Sequence, residues 1–282
     1  MKNILLLTDF SSKSDNAHKY AMQFHKWQQC TFYLMSIQKI WEYTMDDLMV
    51  ANPKDDLNTA LLGDNKSKLK ATKARLRKQY TGEDFTFKSS VDYDVFTDAI
   101  NQAVNEYEIE LIVCGTDGKT GVVETIFSSH TLRIIRKVDC PVLVIPEGVE
   151  FQKPSSIQYL LDYDDVFEMC GKEPLIQIVR KFKSNIDVLR LTFGYDMEPR
   201  ECEQEHKEIQ KFFPSNPVTY HTYIDQDPVR VIQVRQQTAP AQLQVLSAHK
   251  QTFLERIFSN SHLSQIVNSS TIPLLILRDC NS

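Results

Sequence analysis

The sequence lacks the motifs by which common nucleotide hydrolases, metalloproteases and esterases are identified. No segment reads GxxxxGK[ST], HExxH or GxSxG, so a Walker-A ATPase, a zincin and an α/β-hydrolase have no support. The six cysteines include no CxxC pair, which leaves no zinc or disulfide framework of the usual spacing. We therefore predict no catalytic residue and no metal site, and we expect the cysteines to be reduced.

Long apolar runs and an excess of basic charge are also missing. The run from Ile4 to Leu7 is followed by Asp9 and is too short for a signal peptide, and no run approaches the roughly 18 residues of a membrane span. With 32 basic and 37 acidic residues the net charge is −5, which gives no sign of a surface for nucleic acid or for anionic membranes. The sequence therefore predicts a cytoplasmic protein that binds neither.

The chain does contain enough apolar residues for two packed domains. Its 282 residues are 42% hydrophobic, which suits two domains of ordinary size. In the first half, short apolar runs alternate with amphipathic segments, which is typical of a parallel sheet covered by helices on both faces. The predicted helices are Ser12–Trp27, Lys66–Tyr80, Val95–Tyr107 and Val123–Val138, and the predicted strands are Ile4–Leu7, Thr31–Ile37, Phe85–Val91, Leu111–Cys114 and Val142–Ile145.

The second half repeats the pattern of the first. SSIQYLLDYDD echoes KNILLLTDFSS, with Asp162 in the place of Asp9, and PLLIL echoes PVLVI near the ends of the halves. Such length-matched echoes indicate an internal duplication. We predict domains at residues 1–148 and 154–282, joined by a linker with Gly and Pro at its ends. The first half has an extra segment, residues 40–63, which is either a functional lid or a surface helix at the domain interface.

A glycine-containing turn is the clearest chemical signal. The strand Leu111–Cys114 leads into GTDGKTG, residues 115–121, and then into a helix. Glycines in such a turn let backbone N–H groups approach a phosphate, and the N-terminus of the following helix favours an anion. The turn therefore predicts a phosphate site in the first half.

These features resemble the universal stress protein family, in two tandem copies that cover nearly the whole chain. Nucleotide-binding members carry Gly, two residues, Gly, nine residues, Gly and then Ser or Thr. Here Gly115 and Gly118 match, Ser128 stands at the third glycine, and Ser129 matches the last position. TDFSSKSDNAHKYA and DCPVLVIPEG are similar to the family's first strand and helix and to its last strand. The resemblance implies two tandem α/β sandwiches with Rossmann-like open parallel sheets, each in the order β-α-β-α-β-α-β-α-β.

By the same resemblance, the first half binds one adenine nucleotide, ATP or AMP, with Mg²⁺ as a candidate companion. Asp9 is then expected at the adenosine and Ile37 at the adenine, with the glycine turn and the two serines around the phosphates. His130 suits a phosphate contact or, as the alternative, a capping or surface position. The predicted cofactor-binding residues are Asp9, Phe10, Ile37, Gly115, Thr116, Gly118, Lys119, Ser128, Ser129 and His130.

Two departures from the family pattern affect this expectation. Asp117 brings a carboxylate towards the phosphates, and like charges 4 Å apart repel by about 1 kcal/mol in water and about 4 kcal/mol at an effective dielectric of 20. Lys119 offsets part of this repulsion. In the second half, the segment SAHK at residues 247–250 replaces the glycine turn, so we expect that half to be a structural partner that does not bind ATP in the family manner.

The resemblance implies a non-enzymatic stress-response or signalling protein that responds to nucleotide occupancy. Two alternatives remain open: an interaction protein in which both sites have decayed, and a slow ATPase in which Ser129 and Asp9 help to place the phosphates and a divalent ion. The last strands of family members often pair edge to edge between subunits. The two halves are therefore expected to form an intramolecular pseudo-dimer that covers both edges, with a homodimer as a further assembly.

Overall fold

The computed structural model describes residues 1–37, 57–92, 96–116, 126–161, 167, 170–192, 194, 196–248 and 271–278. In the first half, the described elements alternate between strand and helix along the chain. They are β1 (Lys2–Leu7), α1 (Ser12–Phe24), β2 (Cys30–Ile37), α2 (Leu57–Gln79), β3 (Phe85–Asp92), α3 (Phe96–Glu106), β4 (Leu111–Thr116), α4 (Ile126–Lys137) and β5 (Val142–Pro146).

The second half follows the same order over the described residues. Its elements are β6 (Ser156–Leu161), α5 (Glu173–Phe182), β7 (Asn185–Thr192), α6 (Pro199–Phe212), β8 (Val218–Ile224), α7 (Pro228–Thr238), β9 (Leu243–Ala248) and β10 (Leu274–Arg278). Two of its helices begin with proline at N1, where the missing N–H costs no hydrogen bond. No helix among the described residues is both long and apolar enough to cross a bilayer.

The ten strands form one sheet in the order β3-β2-β1-β4-β5-β10-β9-β6-β7-β8. Neighbouring strands are parallel within each half. The central strands are apolar on both faces because helices cover both faces. Helices α1, α2, α5 and α6 pack on one face, and α3, α4 and α7 pack on the other. The predicted α/β architecture with parallel sheets is therefore confirmed, and the two sheets prove to be continuous.

The two halves meet where β5 and β10 pair antiparallel, with Leu275 opposite Leu143. This pairing covers an edge of each five-stranded sheet, as expected for the last strands. Two cations of the second half also cross the junction to the carboxyl ends of first-half helices. Lys181 Nζ donates to the carbonyl of Phe24, 2.6 Å away, and the Arg278 guanidinium donates to carbonyls at the end of α4. Because the carboxyl end of a helix carries partial negative charge, both contacts favour docking of the halves.

Some details differ from the sequence-based expectations. Helix α1 ends at Phe24, earlier than predicted, and the chain then turns through Trp27 with a φ of 63°. Helix α2 begins at Leu57, so the last residues of the 40–63 segment are helical, whereas residues 40–56 lie outside the described residues. Cys30, Cys114, Cys140 and Cys202 are free thiols. The exposed Cys170 is disulfide-bonded, so the expectation of reduced cysteines is wrong there. The domain boundaries at 148 and 154 stay a prediction.

Candidate functional site

The predicted site residues that the structure describes converge at the carboxyl edge of the first-half strands. Strand β1 has β2 on one side and β4 on the other, so the connections leave β1 and β4 in opposite directions. Such a switch point leaves a crevice where open α/β sheets bind ligands. Leu7 pairs with Met35 and Leu6 with Val113. This register brings the following residues together just beyond the paired positions: Asp9, Phe10, Ile37, Gly115 and Thr116.

The turn that follows β1 is held by its own side chains. Asp9 Oδ1 accepts hydrogen bonds from Ser11 N at 3.0 Å and from Ser11 Oγ at 2.6 Å. Partial desolvation opposes ionisation of Asp9, but these hydrogen bonds outweigh it and hold the pKa of the carboxyl below its ordinary value. The exposed Asp9 is therefore a fixed anion at neutral pH, suited to accept hydrogen bonds from a ligand hydroxyl or amine.

Phe10 has an unusual backbone conformation in this turn. Its φ is 64°, in the left-handed region that a bulky residue seldom adopts. The buried hydroxyl of Thr8 accepts a hydrogen bond from Phe10 N at 3.0 Å and lies 3.2 Å from Ser14 Oγ. Strain of this kind is concentrated at functional sites and needs support from its surroundings. Thr8 provides that support and was not among the predicted residues, because its role depends on the turn conformation.

Helix α2 approaches the same turn with a cation. Lys68 Nζ lies 5.8 Å from the centre of the Phe10 ring and forms an ion pair with Asp64 at 2.7 Å. Arg75, two turns further along, pairs with Asp15 of α1 at 2.6 Å. Positive charge from α2 therefore lies beside the turn that holds Asp9 and Phe10. Nothing in the sequence spacing indicated this contact.

Gly115 allows α1 to pack directly on β4. A Cβ atom at this position would lie 2.6 Å from the carbonyl oxygen of Lys13 and 2.8 Å from its carbonyl carbon. Both atoms belong to the backbone of α1, which cannot move without shifting the helix. The first glycine of the turn is thus required for helix packing, and this requirement does not depend on whether a phosphate binds nearby.

We expect Gly115→Ala to lower the free energy of unfolding by about 1–3 kcal/mol, because the added methyl overpacks the contact with α1. Gly82→Ala is the matched control, since a Cβ at Gly82 would meet nothing within 4 Å. Urea denaturation of both variants measures the difference. Equal stabilities for the two variants would contradict the packing role of Gly115.

Thr116 ends β4 with a buried hydroxyl that has no hydrogen-bond partner within the described part of the chain. Its backbone carbonyl accepts from Glu147 N at 2.9 Å, so the strand itself is satisfied. Buried polar groups without a partner are rare in folded proteins. The hydroxyl is therefore a candidate contact for a ligand at this edge.

The other predicted residues are only partly described. Gly118 and Lys119 lie outside the described residues. Ser128, Ser129 and His130 belong to the first turn of α4, which begins at Ile126, and their side chains lie outside the description. The structure therefore has α4 as the next described element after β4. The roles of these five residues stay predictions.

The corresponding edge of the second half differs in one described residue. Ser247, at the position that corresponds to Gly115, is fully buried, and its hydroxyl lies 2.8 Å from the hydroxyl of Tyr159 on β6. The serine side chain is thus engaged inside the protein between β9 and β6. Asp162, His249 and Lys250 lie outside the described residues.

Comparisons with known proteins agree with this architecture. The universal stress protein family matches residues 1–146. A universal stress protein of Mycobacterium tuberculosis is 21% identical over 227 residues, which cover 74% of this chain and 75% of that protein.

Two solved structures show the same fold over almost the full length. A universal stress protein from Archaeoglobus fulgidus superimposes with a TM-score of 0.72 at 12% identity, covering 99% of this chain and 97% of that one. A protein from Pseudomonas aeruginosa, described as a putative universal stress protein, gives a TM-score of 0.54 at 13% identity over 99% and 94% of the two chains. Together with the family match over residues 1–146, the duplicated parallel sheet shows that the chain belongs to the universal stress protein family.

Proposed function

We propose that the first half binds one adenine nucleotide at the carboxyl edge of β1, β2 and β4. The observation that carries the proposal is the unpartnered hydroxyl of Thr116 at the end of β4, the strand that pairs with β1; the carboxylate of Asp9 follows β1 at the same switch point of the sheet. Asp9 is suited to the ribose hydroxyls, and the half-buried Ile37 offers an apolar contact to the base. The glycine turn after Thr116 and the start of α4 would then take the phosphates, as the family resemblance implies.

The proposed role is signalling or stress adaptation through nucleotide occupancy, without catalysis. The second half acts as a structural partner, because Ser247 is engaged with Tyr159 at the position of the first glycine. Pairing of β5 with β10 supports an intramolecular pseudo-dimer. Slow ATP hydrolysis is the second candidate. In it, Ser129 and the fixed carboxylate of Asp9 would help to place the phosphates and Mg²⁺.

Calorimetric titration with ATP, ADP and AMP, each with and without Mg²⁺, tests the proposal. Binding of at least one nucleotide at one site per chain is the expected result. Release of inorganic phosphate in the same samples would favour the slow ATPase. Silence for all three nucleotides, in protein shown by mass spectrometry to carry no retained nucleotide, would favour the interaction protein and overturn the proposal.

Thr116→Val should separate ligand binding from stability. Valine removes a buried hydroxyl without a partner, so we expect the free energy of unfolding to rise by about 1 kcal/mol while nucleotide affinity falls about 5–10-fold. Thermal denaturation and calorimetry on the same preparation measure both effects. Thr31→Val on β2 is a useful comparison, since Thr31 also has a buried hydroxyl without a hydrogen-bond partner in the described part. Unchanged affinity in Thr116→Val would remove Thr116 from the site.

A further inference from the structure

Helix α2 carries a concentration of positive charge that the composition of the whole chain conceals. Residues 57–79 contain seven Lys or Arg and one acidic residue, Asp64, whereas the whole chain has a net charge of −5. This local excess is a property of one helix on one face of the sheet. The expectation that neither nucleic acid nor an anionic membrane binds rests on the total charge, in which this helix is averaged with the acidic remainder of the chain.

Four of these cations form a stripe along one flank of α2. Lys66, Lys70, Lys73 and Arg77 are spaced by four, three and four residues, which places them on one side of a helix over about 16 Å. Lys66, Lys70 and Arg77 are exposed and Lys73 is half-buried. None of the four forms an ion pair with a residue that the structure describes. Like charges at this spacing repel one another, so the stripe opposes folding of the helix unless an anion binds.

The buried side of α2 and its flank towards α1 are already occupied. Leu69 and Leu76 are buried in the core at 2% and 0% exposure. Lys68 and Arg75, on the flank that faces α1, pair with Asp64 and Asp15. The apolar side of the helix is therefore unavailable for insertion into a bilayer, whereas the stripe and the exposed Lys78 remain open to a partner.

An exposed aromatic residue lies in the turn between α1 and β2, next to the turn that follows α2. Trp27 is 84% exposed, and its φ of 63° is one that glycine adopts without strain and tryptophan seldom does. Glu83, four residues beyond the end of α2, accepts a hydrogen bond from Trp27 N at 3.0 Å. Lys26 Nζ lies 5.1 Å from the centre of the Trp27 ring. Neither stability nor packing accounts for a tryptophan here, which points to a contact with a partner.

We propose that the stripe on α2, together with Trp27, binds single-stranded nucleic acid. Proteins that bind single strands without sequence preference combine a row of cations for the phosphates with an aromatic ring on which a base stacks. The cations of the stripe recur every 5–6 Å along the helix, a repeat suited to successive phosphates. A membrane surface would need several apolar residues to enter it, and among the described residues near this end of α2 only Trp27 and the N-terminal Met1 are large, apolar and exposed.

The test uses the full chain and a fluorescein-labelled 20-mer of oligouridine, with binding followed by anisotropy. One variant replaces the stripe by glutamine: Lys66→Gln, Lys70→Gln, Lys73→Gln and Arg77→Gln. The control removes the same charge from exposed positions elsewhere: Lys153→Gln, Arg200→Gln, Lys207→Gln and Lys211→Gln. We expect the stripe variant to bind at least tenfold more weakly than the parent and the control to stay within about threefold. The parent affinity should fall with salt with a log–log slope near −3, as expected for about four phosphates.

Trp27→Gly keeps the test independent of folding. Glycine relieves the left-handed strain, so the melting temperature should not fall. Affinity for the oligomer should drop severalfold, and the quenching of the protein's tryptophan fluorescence on binding should be reduced. Equal losses in the stripe and control variants, or no binding by the parent, would overturn the proposal. Binding to vesicles with 30% phosphatidylserine but not to the oligomer would overturn it too and assign the surface to anionic membranes. Nucleotide binding in the first half is measured separately by calorimetry, so either proposal can fail without the other.

Discussion

Glu205→Ala is expected to lower the free energy of unfolding by about 3–5 kcal/mol, the largest effect of any single substitution considered for this protein. Glu205 on α6 pairs with Arg190 of β7, and the two side chains are 15% and 6% exposed. Arg190 Nε donates to Glu205 Oε2 at 3.0 Å, and the Tyr220 hydroxyl donates to the same carboxylate. Burial and the neighbouring carboxylate raise the pKa of Tyr220, so the phenol keeps its proton. Removing Glu205 takes away the carboxylate that pairs with this buried guanidinium and that accepts the Tyr220 hydrogen bond.

The same helix supplies the control. Glu203 pairs with Lys207 at 2.6 Å, and both side chains are about two-thirds exposed, at 66% and 69%. Solvent screens surface pairs of this kind, so Glu203→Ala should change stability very little. The double variant Arg190→Met/Glu205→Leu should recover most of the lost stability, because it removes both charges from the interior. Chemical denaturation of the three variants measures this, and a loss for Glu205→Ala no larger than that for Glu203→Ala would refute the account.

Acid is expected to destabilise the protein well above the pH at which carboxylates titrate, because two histidines are buried in the neutral state. His25 is 2% exposed, and its Nδ1 donates to Gln28 Oε1 at 3.0 Å. Its Nε2 is buried without a partner among the described groups. Burial lowers the pKa of His25 to about 3. Burial also lowers the pKa of His18, whose Nε2 lies 3.1 Å from the carbonyl oxygen of Leu7.

The direction of the pH dependence follows from these lowered values. An unfolded histidine takes up a proton near pH 6.5, whereas folded His25 does so only near pH 3, so the unfolded state binds more protons between these values. The free energy of unfolding therefore decreases as the pH falls through about 6.5, and for His25 the loss approaches roughly 1.4 kcal/mol per pH unit below that value; His18 acts in the same direction. For His25 alone this amounts to roughly 2 kcal/mol between about pH 6.5 and 4.5.

His25→Gln tests this assignment. Glutamine cannot be protonated in this range. Between about pH 4.5 and 6.5, the slope of the unfolding free energy against pH should therefore decrease by the amount that corresponds to one proton, roughly 1.4 kcal/mol per pH unit. If His25 had a purely structural role, the substitution would change the free energy of unfolding by the same amount at every pH. Denaturant titrations at four pH values distinguish the two outcomes, and an unchanged slope would contradict neutral burial of His25.

Much of the scaffold was predictable from the sequence because it depends on local patterns. Apolar runs and helical spacing identified the nine elements of the first half, and the echo of Asp9 in Asp162 identified the duplication. The antiparallel pairing of β5 with β10 followed from the family's habit of pairing last strands. By contrast, the end of α1 was misplaced, because Trp27 adopts a conformation that sequence rules assign to glycine.

The site was less predictable because its geometry depends on contacts between distant segments. The sequence indicated Asp9, Gly115 and Thr116, but it gave Gly115 a role towards phosphate, whereas the described contact is with the backbone of Lys13. Thr8 supports Phe10 only because the turn after β1 has an unusual conformation. Lys68 approaches Phe10 only because α2 packs beside that turn. No local sequence pattern encodes either contact. The spacing of the cations on α2 can be read from the sequence, but the net charge of the whole chain, −5, does not indicate it.

The most direct test of the nucleotide proposal compares matched variants of the two halves. Calorimetry with the parent, Asp9→Ala and Asp162→Ala should give one adenine nucleotide per chain for the parent and for Asp162→Ala, with affinity at least tenfold weaker in Asp9→Ala. Loss of binding in Asp162→Ala with Asp9→Ala unaffected, or two nucleotides per parent chain, would contradict a single site in the first half.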